Sequence, residues 1–110
     1  MKDDLVFLHH IFDAIKDIEK YTDSGKDAFY STKMIQDAVI RNLEIIGEAV
    51  KNISPATRAE YSDIPWKQIA GLRDVLIHHY FGVDLETVWL VVEKRLPVLA
   101  ERIEFIFSHR

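Results

Sequence analysis

The chain contains no cysteine, which excludes disulfide staples, thiolate metal sites and a thiol nucleophile. A thiol-free chain fits a reducing, cytoplasmic compartment. Long apolar runs are missing too. Val88 to Val92 is among the longest, far below the roughly 18 residues that a membrane span needs. The start, Met1-Lys2-Asp3-Asp4, turns acidic at its third residue, unlike the basic start and apolar run of a signal peptide. Positive charge is not in surplus either. The formal net charge is −4, which argues against a broadly basic nucleic-acid binder. Any contact with RNA has to be local, through a few arginines or lysines, or shared between subunits. No repeat, low-complexity tract or linker interrupts the 110 residues, so a single domain over 1–110 is expected.

What is present is helical periodicity. Leu5, Leu8, Phe12, Ile15 and Ile18 recur at three- and four-residue steps and predict a first helix from about residue 4 to Tyr21. Tyr21 to Gly25 is a turn by composition. Ser31 or Thr32 can cap a second helix with Ile35, Val39, Leu43, Ile46, Val50 and Ile53 on one face. Ser54-Pro55 reads as a cap followed by a first helical residue, opening a short helix to about Tyr61. Asp63-Ile64-Pro65 starts another, which runs through Ile69 and Leu76 towards Tyr80 with Gly82 as terminator. Asp84 caps the last helix, and Pro97 inside it predicts a kink near Leu96. Nothing alternates with period two. The expected fold is all-α: an antiparallel four-helix bundle with one additional short helix.

Functional side chains are densest from Arg73 to Tyr80. Arg73-Asp74-Val75-Leu76-Ile77-His78-His79-Tyr80 holds a permanent cation, a carboxylate, two imidazoles that titrate near neutrality and a phenol. At about 100° per residue, Tyr80 projects roughly 20° from Arg73, but His78 projects about 140° away. A straight helix in one copy therefore points Arg73 and His78 apart. Either the helix distorts before His78, or two copies meet and a shared cleft collects both groups. Two arginines and two histidines in one cleft suit metal-free phosphoryl chemistry on RNA. One imidazole takes the 2′-hydroxyl proton, another protonates the leaving oxygen, and guanidinium forks neutralise the transition state. The bland alternative is that Arg73 pairs with a carboxylate and the histidines cap the helix end.

The chain resembles the HEPN superfamily and, within it, the HepT-like toxins of toxin–antitoxin pairs. The resemblance is carried by an R-x-x-x-x-H-x-Y motif matched by Arg73, His78 and Tyr80, with the polar Asp74 after the arginine. It extends over Asp37 to Ala49, Ile64-Pro65-Trp66, Gly71, Val83-Asp84 and Val88-Trp89. The resemblance implies a four-helix bundle acting as a homodimeric, metal-independent endoribonuclease that needs no cofactor, with its site at the dimer interface. It implies a partner as well, a minimal nucleotidyltransferase antitoxin that transfers AMP to the motif tyrosine, as in type VII-like systems. By that carry-over Arg73 and His78 are catalytic, Asp74 is supporting and Tyr80 is the AMPylation target. His79, at a position often held by a small residue in relatives, is a second imidazole that can support or compete. The rival readings are a non-enzymatic helical partner or substrate-binding module of a nucleotidyltransferase, and a nucleotide-binding regulator with Arg73 as a phosphate clamp.

Other polar groups have plainer readings. Asp37, Arg41, Glu44 and Glu48 project about 180–240° from Ile35, opposite the apolar face. That predicts a solvated stripe with i,i+4 pairing such as Asp37–Arg41. Alternatively, the stripe borders the catalytic cleft or holds Arg73, or Glu44 and Glu48 bind a divalent ion. Gly47 suggests a close backbone approach. His9 and Asp13 have a chelating spacing but too few companions, so they and His10 are read as surface groups. Trp66 and Trp89 are packing anchors. Arg102, His109 and Arg110 form a charged, frayed tail.

Overall fold

The structure, a computed structural model, describes the backbone of residues 2–78 and 84–109 and the side chains of residues 3–72 and 84–109. In chain order the elements are α1 (Lys2–Tyr21), α2 (Lys26–Ser31), α3 (Lys33–Lys51), α4 (Pro55–Glu60) and α5 (Trp66–His78). They are followed by α6 (Leu85–Leu90), a π-helical segment (Val91–Arg95) and α7 (Leu96–Ser108). No strand occurs among the described residues. The last three elements follow one another without a break. The described residues therefore make four long helical rods and short helices between them, the all-α, HEPN-like architecture expected.

The periodic apolar residues become the core. On α1, Leu8, Ile11, Ile15 and Ile18 are fully buried, as are Val39, Leu43, Ile46 and Val50 on α3 and Ile103 and Ile106 on α7. Each such side chain contributes roughly 1.5–3 kcal/mol relative to exposure. Leu5 and Phe12, expected on the same stripe of α1, are only partly buried at its rim, because the core line runs through Ile11. The middle rod, α3, packs against both α1 and α5. Gly47 is buried on it.

The caps follow the sequence signals, with one exception. The Ser54 hydroxyl accepts from the Thr57 N–H at 3.3 Å, with Pro55 as the first residue of α4. Asp84 accepts from the Glu86 N–H at 3.0 Å and opens α6. Thr32 precedes α3, but its side chain makes no capping bond. The chain is fastened there instead by Gln36, which donates to the carbonyls of Phe29 and Tyr30 at 2.9 and 3.1 Å.

A second short helix, α2, lies where the sequence shows only a turn and a connection. It is entered through Gly25 at φ 95°, ψ −178°, a conformation that is essentially closed to residues with a Cβ. Its Phe29 is fully buried and lies 5.4 Å, ring to ring, from Trp89. Trp66 donates from Nε1 to the Tyr61 carbonyl at 3.0 Å. Both tryptophans therefore anchor packing, as expected.

Pro97 acts one turn earlier than its own position. It offers no N–H, and its ring excludes the carbonyl four residues back, that of Glu93. The helix accommodates this by widening. The Leu96 N–H bonds to the Val91 carbonyl, five residues back, and Val91–Arg95 is π-helical. The kink expected near Leu96 is thus a π-helical segment.

Candidate functional site

Arg73, Asp74 and His78 lie on the C-terminal half of α5, whose backbone is α-helical from Trp66 to His78. Their side chains, and all of His79, Tyr80 and the expected terminator Gly82, lie outside the described residues. The unbroken helix answers one question the sequence left open. Since α5 does not break before His78, positions 73 and 78 stay about 140° apart around the helix axis. Local distortion does not bring them together.

The polar stripe of α3 borders a cleft against α1, and the alternative that it holds Arg73 falls on a side chain outside the described residues. Arg41, Glu44 and Glu48 line a cleft of about 290 Å³ together with Phe7 and His10 of α1 and with Asn52. Arg41 Nη1 lies 3.6 Å from Glu44 Oε2. The expected Asp37–Arg41 pair does not form. Asp37 pairs with Lys33 at 2.7 Å, one turn towards the start of α3, which leaves Arg41 to Glu44. Asn52 donates from Nδ2 to the Glu48 carbonyl at 3.0 Å, so the Oδ1 of its amide remains an acceptor.

Adjacent histidines on α1 go separate ways. His9 stacks on Phe107 with ring centroids 4.2 Å apart, whereas His10 meets the Phe7 ring edge-on at 5.9 Å beside the cleft. Nothing in the sequence pairs His10 with the stripe on α3, because that depends on how two helices are rotated against each other. Among the described residues no three His, Asp or Glu side chains converge as a metal site requires, so neither His9 with Asp13 nor Glu44 with Glu48 gains a third ligand there.

A second groove, about 590 Å³, lies between α5 and the last rod. Ile69, Leu72 and Leu99 are among its apolar walls, and Lys94 and Arg95 stand on its border. Arg102, read from the sequence as part of a frayed tail, lies within α7 and is tied down. Its Nη2 donates to Asp63 Oδ1 at 3.1 Å, and its Nε lies 2.6 Å from the other carboxylate oxygen. His109 is also held, with Nδ1 2.9 Å from the Phe105 carbonyl and its ring stacked on Phe105 at 3.8 Å. Arg110 lies outside the described residues.

An all-helical bundle with Arg73 and His78 of an arginine–histidine–tyrosine sequence motif on α5 defines a HEPN-like class of protein. Comparison with known proteins makes this narrower. The family described as "Ribonuclease HepT-like" matches residues 11–106, and the chain belongs to that family.

Three relatives illustrate the match. A Methanocaldococcus jannaschii protein named "Gamma-glutamylcyclotransferase and putative RNase" is 52% identical over 103 residues, covering 93% of this chain and 46% of that protein. The chain thus spans about half the length of that relative. A "Putative RNase" of the same organism is 46% identical over 108 residues, covering 97% of this chain and 89% of the relative. "Probable ribonuclease HepT" of Thermococcus cleftensis is 43% identical over 99 residues, covering 89% and 90%. No solved structure matches the chain. No described helix is long and apolar enough to cross a membrane.

Proposed function

We propose that the chain is the toxin subunit of a type VII-like toxin–antitoxin system, a cytoplasmic, metal-independent endoribonuclease that acts as a homodimer. The observation that carries this reading is the ribonuclease HepT-like family match across residues 11–106, which includes the whole Arg73–Tyr80 motif. The unbroken α5 supports the dimer. With positions 73 and 78 on different sides of one helix, a single cleft collects both kinds of group most simply from two copies related by a two-fold axis.

The chemistry follows from the residue types. One His78 imidazole removes the proton of the ribose 2′-hydroxyl, which attacks the adjacent phosphorus, and a second, protonated His78 gives its proton to the departing 5′-oxygen. Strand scission leaves a cyclic phosphate on one fragment and a hydroxyl on the other. Arg73 places its fork of donors on the non-bridging oxygens, where negative charge builds up in the transition state. Asp74 supports the arginine. Tyr80 is the position at which a minimal nucleotidyltransferase antitoxin attaches AMP and silences the cleft.

Incubating the purified protein with total RNA in the presence of a chelator tests the reading. Wild type is expected to cleave. Arg73→Ala and His78→Ala are each expected to lose most activity while keeping wild-type helicity and unfolding midpoint, and His79→Ala to lose much less. If His79→Ala is the inactive variant, the catalytic imidazole is the neighbouring one. No cleavage by wild type, or cleavage that both substitutions spare, overturns the reading in favour of a non-enzymatic partner of the nucleotidyltransferase.

A further inference from the structure

We propose that the cleft between α1 and α3 is a guanine-reading subsite for RNA, built by Arg41, Glu44 and the aromatic pair Phe7 and His10. The inference rests on the proposed action on RNA. It adds base preference, through residues of α1 and α3, to a reaction that Arg73 and His78 leave indifferent to sequence.

The size and shape of the cleft come first. About 290 Å³, open to solvent and bordered by Phe7 and His10, admits one unstacked base with part of its ribose. Single-stranded RNA is read in this way, by splaying a base onto an aromatic surface and bonding its edges. Phe7 and His10, in T-shaped contact, make the α1 side of the cleft an aromatic wall. The opposite wall is polar and belongs to α3.

The order of polar groups then selects the base. Glu44 and Arg41 lie one turn apart on α3 with carboxylate and guanidinium 3.6 Å from each other. The wall therefore offers a two-oxygen acceptor next to a forked donor. Guanine carries the complementary sequence along its edge: two parallel N–H donors, on N1 and N2, followed by two acceptors, O6 and N7. Of the four RNA bases it alone presents two neighbouring donors to one carboxylate, while arginine on O6 and N7 is the commonest specific contact to guanine. Adenine and cytosine each set a ring-nitrogen acceptor beside their amino group, which would face the carboxylate. Uracil has a single N–H between two carbonyls.

Glu48, one turn beyond Glu44, and Asn52, two turns beyond it, also line the cleft. The Asn52 amide is oriented by its own bond to the Glu48 carbonyl at 3.0 Å. Both walls are fixed in place. Asp4, one turn before Phe7, is hydrogen bonded to Ser54 and Thr57 just beyond the end of α3. The Arg41 guanidinium is exposed (71%) and the Glu44 carboxylate half-buried (28%), and they are 3.6 Å apart. A pair with one exposed partner is weakened by solvent and opens readily to admit a base.

Titrating the full chain with 3′-GMP, 3′-AMP, 3′-CMP and 3′-UMP, and following the His10 imidazole signal by NMR, provides the test. The expected result is a His10 shift with 3′-GMP and binding at least about tenfold tighter than for the other three, the discrimination of one good bidentate base contact. Glu44→Gln and Arg41→Ala should each remove that preference. Arg73→Ala should retain it while losing cleavage. Equal binding of all four nucleotides, no movement of His10, or a guanine preference that survives both substitutions overturns the subsite. The two readings fail separately. Guanine-selective binding without RNA cleavage leaves the subsite standing and removes the nuclease. Cleavage with no preference for guanine near the cut, and no 3′-GMP binding, does the reverse.

Discussion

Ser54 donates twice to Asp4 across 50 residues of sequence, from its backbone N–H to Oδ1 at 2.9 Å and from its hydroxyl to Oδ2 at 2.6 Å. Thr57 adds a third bond, from its hydroxyl to Oδ2 at 2.5 Å. The start of α1 is thereby locked to the start of α4, next to the walls of the α1–α3 cleft. The carboxylate serves both helices, since acidic groups are favoured near helix N-termini.

Acid should release this lock. Burial alone raises the pKa of Asp4, but the hydrogen bonds from Ser54 and Thr57 outweigh it and hold the group below its usual value of 3.8. Because the folded value is depressed, the stabilisation is fully present above the unfolded value and is lost as pH falls through the folded one. Asp4→Ala is expected to cost about 2–3 kcal/mol at pH 7, the scale of losing charged hydrogen bonds in a buried setting. Urea unfolding at pH 7 and pH 3 checks this. The gap between wild type and variant should narrow at the lower pH, and a gap of constant size would show that the carboxylate charge is not what holds the lock.

The same chemical change should have opposite signs at two glycines. An added Cβ meets open space at both Gly25 and Gly71, so backbone conformation decides the outcome. Gly25 sits at φ 95°, and Gly25→Ala should lower stability by about 1–3 kcal/mol. Gly71 is inside α5, and Gly71→Ala should raise stability by roughly 0.5–1 kcal/mol. Denaturation midpoints compare the pair directly. A loss at Gly71 would mean that another molecule presses on that turn of α5 in solution, a second copy being the first candidate.

How much of this was legible in the sequence depended on the length of the element. The stripes on α1 and α3 repeat over four or five turns, so periodicity alone marked the core through Leu8, Ile15, Leu43 and Ile46. The six residues of α2 are too few to show a period, and its entry needs a left-handed glycine that reads from sequence as an ordinary turn. Pro97 signalled a disturbance without saying that it would become a π-helical segment. The guanidinium–carboxylate pair of Arg41 and Glu44 was visible as a polar stripe. Its meeting with His10 was not, because a stripe does not say which neighbouring helix it will face. The motif on α5 was legible mainly through family resemblance, since a five-residue spacing of arginine and histidine has no helical logic within one copy.

That spacing makes concentration a variable. If each working cleft draws on two copies, activity per molecule should fall on dilution below the dimer dissociation constant, and the rate should then rise with the square of protein concentration. Light scattering at micromolar concentration should give twice the chain mass. Activity strictly proportional to concentration down to a demonstrated monomer would place Arg73 and His78 in one copy's site, contrary to the two-copy arrangement proposed above.

Tyr80 is expected to regulate the cleft and take no part in its chemistry. A phenol with a reference pKa near 10 is a poor base at neutral pH. On the helical projection expected from the sequence, however, position 80 falls about 20° from Arg73. In AMP transfer the phenolic oxygen bonds to the α-phosphorus of ATP and pyrophosphate departs, with the phenolic proton passing to a base of the nucleotidyltransferase. The product carries a phosphate anion and a bulky base beside the arginine. The anion occupies the charge that would receive RNA phosphate, and the base fills the space around it. Tyr80→Phe should therefore cleave RNA at a substantial fraction of the wild-type rate, yet escape silencing by a cognate nucleotidyltransferase supplied with ATP and magnesium. Intact-mass spectrometry gives the direct measurement, with additions of AMP mass on wild type and none on Tyr80→Phe. If both proteins are modified and silenced alike, the switch lies on another residue and Tyr80 has a purely structural part.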